Sequence, residues 1–109
     1  MQIHLEDISF VLNRETDNRN HIFLYPRHQG KAWVAYEQSA HYLHLLIPCI
    51  PLSYRRIKDV PLVVTVITVP QLSLDFLIEK GVYMSDCDGG RNLKLRMPRS
   101  MTAKVKQLY

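Results

Sequence analysis

Glu37, His41 and His44 recur at i, i+4 and i+7, a spacing that on a helix sets a carboxylate and two imidazoles along one face, as a metal site requires. The order is not HExxH, and a polar helix face meeting water accounts for the same residues. Asp86 and Asp88 resemble the start of a calcium loop, but Gly89 comes too early and no glutamate stands at the twelfth position, so a tight turn is expected over Asp86 to Gly90. As a general acid and base, two carboxylates in an exposed turn would have no burial to tune them. Ser39, Ser53, Ser73, Ser85 and Ser100 show no nucleophile-elbow context. Cys49 and Cys87 are far apart without a CxxC spacing, which predicts a buried pair of free thiols, with a disulfide between them, unusual in a reducing compartment, as the minor alternative. No catalytic residue, metal or cofactor is expected, and His21 and His28 read as surface residues.

The basic residues are the feature with a positive functional reading. Net charge is +4 over 109 residues, a bias that permits a nucleic-acid or acidic-protein partner. After Asp88 the chain carries Arg91, Lys94, Arg96, Arg99, Lys104 and Lys106 with no acid. On a strand, Lys94 and Arg96 share one face while Leu93, Leu95 and Met97 take the other, so the two cations would follow a phosphate backbone. Arg55, Arg56 and Lys58 form a second basic cluster. Tyr25, Trp33, Tyr36 and Tyr42 are candidate stacking platforms, although aromatics beside strands and on an apolar helix face are commonly core.

These residues need elements to hold them. The length suits one domain, and 47% hydrophobic with 22% charged residues is a globular composition. No apolar run reaches a membrane span, and Met1 to Asp7 lacks the order of a signal peptide, so a cytoplasmic protein with no membrane partner is expected. Ile3 to Leu12, β-branched and apolar, reads as a strand followed by a loop over Asn13 to Asn20. Ile22 to Tyr25 is a second strand. After the turn cluster Pro26 to Gly30, Lys31 to Tyr36 either pairs back as a third strand or, from Trp33, already begins a helix. Glu37 to about Ile47 reads as a helix, with Ala40, Leu43 and Ile47 on its apolar face, and Pro48 and Pro51 end it. Ser53 to Asp59 is a basic loop or short edge strand. Leu62 to Val69, a continuous run of β-formers, is the expected central strand with both faces covered by helices. Leu72 to Lys80 is a second helix, capped by Ser73 and ended at Gly81. Val82 to Ser85 and Asn92 to Met97 close the domain. The expected fold class is α/β, a mixed β-sheet flanked by helices in the order βββαβαββ, with one domain over 1–98 and a basic tail or short helix over 99–109.

This order of landmarks resembles the N-terminal mismatch-recognition domain of the MutS family of DNA mismatch-repair proteins. Ile22 to Arg27 is similar to that domain's opening apolar strand ending in arginine, and Gly30-Lys31 to its Gly-Asp turn. Trp33 to Ala40 is similar to the aromatic strand that enters its first helix. Val69-Pro70 and the helix ending at Gly81 resemble the family's Ile-Pro and following helix, and Arg91 to Pro98 its closing basic strand. The resemblance spans roughly Phe23 to Pro98 and implies a DNA-binding α/β fold. The family's reading element, Phe-x-Glu after the Gly-Asp turn, is replaced by Ala32 and Val34, with Trp33 between them facing the other way by strand alternation. The family's ATPase motif GxxxxGK[ST] is absent from the sequence.

The resulting expectation is a non-enzymatic binding module that contacts DNA through phosphates without the family's mismatch reader. Lys31, Trp33, Arg91, Lys94, Arg96, Arg99, Lys104 and Lys106 are the candidate contacts. The alternative is a protein-interaction module that kept the fold and lost DNA binding, serving a separate repair protein or another partner.

Overall fold

The computed structural model describes residues 3–98. In chain order the elements are α1 (Leu5–Thr16), β1 (His21–Arg27), a single 3-10 turn (His28–Gly30), β2 (Ala32–Tyr36), α2 (Glu37–Leu46), β3 (Ser53–Arg56), β4 (Val63–Pro70), α3 (Gln71–Glu79), β5 (Met84–Cys87) and β6 (Asn92–Arg96). The strands make one six-stranded sheet in the order β3-β4-β2-β1-β6-β5. The α/β class holds, but every pairing between these strands is antiparallel, and the parallel contact is the isolated bridge between Ile3 and Ile57.

The opening segment corrects the first expected strand. Leu5 to Thr16 is helical because Ile8, Val11, Leu12 and Glu15 recur at three- and four-residue spacing and turn toward the sheet. Glu6 and Asp7 in the first turn and Arg14 in the last complement the helix dipole. Burial against the sheet outweighs the modest β-preference of Ile and Val. The segment expected as a loop from Asn13 therefore begins inside this helix.

β1 and β2 form the expected hairpin, with Tyr25 opposite Val34 and Arg27 opposite Ala32, and the helix starts only at Glu37. β4 is not central, since β3 covers its outer side and β2 with β1 hold the middle of the sheet. Both of its faces are nevertheless covered. Ile67 and Val69 join Ile22, Leu24, Ala35 and Leu95 against α2 and α3, while Val64 and Val66 join Val34 and Tyr36 against Ile8 and Val11 of α1. α2 and α3 thus pack on the first face and α1 on the second.

Ser73 is not a cap. α3 begins two residues earlier, at Gln71, behind the extended Pro70, whose fixed φ stops the strand and whose missing amide suits that boundary. The helix ends as expected at Gly81, whose φ of +94° is a left-handed conformation. Both cysteines are free, but neither is buried as expected: Cys49 lies exposed after α2 and Cys87 is half-buried at the end of β5.

α1 is also latched by polar contacts. The Glu15 carboxylate, 3% exposed, accepts from the Ser39 backbone N–H at 2.6 Å and the Ser39 hydroxyl at 2.6 Å. Asn18 Nδ2 donates to the same carboxylate. The Ser39 hydroxyl oxygen in turn accepts from the Phe23 backbone N–H at 2.9 Å. Burial pushes the Glu15 carboxyl up from its ordinary value against these hydrogen bonds.

Candidate nucleic-acid interface

Register fixes which side chains share the second face. His21 lies opposite Arg96 and Phe23 opposite Lys94, while Ser85 lies opposite Lys94 on the other side. Directly opposed residues point to one face. Leu93 and Leu95 point the other way, into the core under α2. The alternation expected along this last strand is therefore the one observed.

α1 packs on the second face over β2 and β4, reaches Phe23 of β1 and Asp88 through Arg14, and leaves open the end of the β1-β6-β5 corner beyond them. There His21, Tyr83, Ser85, Lys94 and Arg96 line a cavity of about 250 Å³. His21 is held below its ordinary pKa, first by burial and then by the positive charges of Lys94 and Arg96. Lys94 and Arg96 have no carboxylate partner among the described residues. No strand residue on the second face is acidic; Asp86, the acid borne by β5, points to the first.

The turn after β5 is tied down. Asp88, at φ 55°, precedes Gly89 and Gly90, and the expected tight turn follows. Its carboxylate receives Arg14 Nη1 at 2.8 Å, Arg14 Nη2 and Asn92 Nδ2 at 2.7 Å. The Arg14 guanidinium lies between the rings of Phe10 and Phe23, at 4.4 and 4.5 Å from their centroids. Hydrogen bonds from Arg14 and Asn92 hold the Asp88 carboxyl well below the usual carboxylate range. Asp88 is thus tuned by hydrogen bonds and not by burial, in the direction opposite to that of a general acid.

The remaining candidates are distributed. Arg91 is exposed beside this turn, its Nε donating to the Asp88 carbonyl. Lys31 is exposed at the far end of the β1–β2 hairpin, away from Lys94. Trp33 lies on the first face, partly buried against the α2–α3 core, and its indole N–H donates to Gln71 Oε1 at 2.7 Å. It is thus on the opposite side of the sheet from Lys94 and Arg96. Arg99, Lys104 and Lys106 lie outside the described residues.

Glu37, His41 and His44 do share α2, but the Glu37 carboxylate accepts from the Thr65 backbone N–H at 2.9 Å and His44 Nδ1 meets the Ile50 carbonyl at 2.8 Å. Among the described residues no three His, Cys, Asp or Glu side chains are grouped to hold a metal. No helix among them is long and apolar enough to cross a membrane. Sequence reasoning missed His21 as a member of the basic corner; its signal is positional, since it opens a strand whose partner carries Arg96. In comparisons with known proteins, the chain matches no family model, no curated protein and no solved structure.

Proposed function

We propose that this protein is a non-enzymatic binding module that contacts DNA through its phosphates, using the open corner of the second sheet face. The observation that carries this reading is Lys94 and Arg96, without a carboxylate partner among the described residues, beside His21 on a face whose strands bear no acid. Two residues along a strand advance by about 7 Å, a spacing over which a duplex, carrying one phosphate per strand about every 3.4 Å of helix axis, presents more than one phosphate. Cations so placed follow a backbone without reading bases. Val34, at the position of the MutS family's reading glutamate, is buried beneath α1, and Trp33 is on the other face, which supports phosphate contact over mismatch reading.

Fluorescence anisotropy of labelled matched duplex, mismatched duplex and single-stranded DNA across a salt series tests this. Binding that weakens steeply with salt and is equal for matched and mismatched duplex is the expected result. Absence of affinity at low salt would remove the proposal.

A second reading, a protein-interaction module, is favoured by apolar side chains left in solvent. Leu72 is 79% exposed and Phe76, one helical turn on along α3, is 52% exposed; side chains so spaced form one patch of the kind that partners cover. Clear DNA binding together with a pull-down that returns no protein partner counts against it.

A further inference from the structure

A second cavity, of about 310 Å³, opens on the same face between the β1–β2 connection and β3. Its rim carries Arg27, Arg55 and His28, its apolar lining is the partly exposed Ile3, and its base is Val34 and Val66, both buried. Tyr36 and Thr68 add hydroxyls, and no acidic residue lines it. Arg27 Nη2 donates to the Tyr36 hydroxyl oxygen at 2.9 Å, which fixes that guanidinium at the cavity and leaves the rest of its donor fork for a ligand. Among the described residues neither Arg27 nor Arg55 has a carboxylate partner. Two cations facing one concavity without a counter-charge repel each other, and an anion between them relieves this.

The backbone that presents His28 is strained. His28 and Gln29 follow one another at φ 51° and 59°, a left-handed pair that non-glycine residues adopt at a cost of about 1 kcal/mol or more each. Such strain gathers where a side chain must be aimed at a ligand.

The geometry points to a binding site for a small organic anion, with its phosphate or carboxylate group between Arg27 and Arg55 and its apolar body against Ile3, over the buried Val34 and Val66. The guanidinium fork matches both head groups in bidentate fashion, and the apolar lining distinguishes an organic ligand from a bare inorganic ion. This site is separate from the Lys94–Arg96 corner and stands whether or not that corner binds DNA.

The test is an amide-resolved NMR titration of the full chain with phenyl phosphate, benzoate and inorganic phosphate. Saturable shifts centred on Val34, Arg55 and Thr68 are expected with the two aromatic anions, and inorganic phosphate should bind at least about ten-fold more weakly than phenyl phosphate, because it leaves the apolar lining uncovered. The stronger of the two aromatic anions identifies the head group, and either order supports the site. Arg55→Gln, at an exposed position of an edge strand, should weaken binding about ten-fold, while Lys80→Gln, which removes the same charge just after α3, should leave it unchanged. The site is overturned by absence of saturable shifts, by inorganic phosphate binding as tightly as phenyl phosphate, or by equal losses in the two variants.

Discussion

His21 stands among cations, and that company gives DNA binding a pH dependence. Burial, and then Lys94 and Arg96, hold its imidazole below the ordinary value of about 6.5, which favours the neutral form. A phosphate seated on Lys94 and Arg96 would offset their charge and favour imidazolium, so binding takes up a proton. Affinity for duplex DNA should therefore rise as pH falls from 8 toward 5.5, and His21→Ala should flatten that rise; anisotropy at constant ionic strength reads both, and an unchanged slope in the variant would exclude His21. Asp88 acts on stability with the opposite sign. Its folded pKa lies below the ordinary carboxylate value of about 3.9, so the Arg14–Asp88 contribution is fully present above that pH and is lost as pH falls through the folded value. Asp88→Asn should cost roughly 1–3 kcal/mol at pH 6, and its difference from wild type should shrink toward pH 2. Urea midpoints at the two pH values measure this, and an undiminished difference at pH 2 would remove Asp88 as the source.

α1 is the element on which the second face depends, since Ile8 and Val11 seal Val34, Tyr36, Val64 and Val66 while Glu15 latches onto Ser39. Ile8→Ala should destabilise the fold by about 2–5 kcal/mol through the cavity it leaves, whereas Leu72→Ala, at an exposed site of α3, should stay within about 0.5 kcal/mol. Urea unfolding of the two variants compares them directly; similar losses would mean that α1 is not docked as described. This helix was also the element least legible in the sequence. Its β-branched Ile8 and Val11 suggest a strand when read locally, and the evidence for a helix is their spacing together with Glu15, a charged residue that reads as surface until Ser39 is brought to it from 24 positions away. α2, α3, the β1–β2 hairpin and β4 were legible because each carries its own punctuation, Pro48, Gly81, Gly30 and Pro70, beside a pattern of one period. The central place given to β4 failed because a strand covered on both faces need not lie in the middle; β3, short and exposed along its length, supplies the missing neighbour. Within the site, Lys94 and Arg96 followed from alternation along one strand. Joining them to His21, and separating them from Lys31 and Trp33, required the pairing of β1 with β6, which no local pattern contains.

Across the whole molecule the net charge of +4 is too small to hold a polyanion by itself, so the distribution of charge decides. The first face is occupied by α2 and α3 packed on an apolar core. The second is split by α1 into two basic concavities, one around Lys94 and Arg96 and the other around Arg27 and Arg55. The acids of α1's first turn, Glu6 and Asp7, lie on this same side, so the attraction is local to each concavity, because charges farther away than about 8–10 Å are screened at physiological salt. A phosphate contact is therefore a property of position and not of total charge. Lys94→Gln and Lys80→Gln lower the net charge equally, but only the first removes a cation from the proposed backbone track. For duplex DNA, the plot of log affinity against log salt should lose about 0.9 of its slope with Lys94→Gln, nearly twice that when Arg96→Gln is added, and nothing with Lys80→Gln. If all three substitutions shifted affinity alike and left the slope intact, the protein would be attracting DNA as a diffuse cation. The open corner of the sheet would then be bare surface, and the exposed α3 patch would become the better claim to a partner.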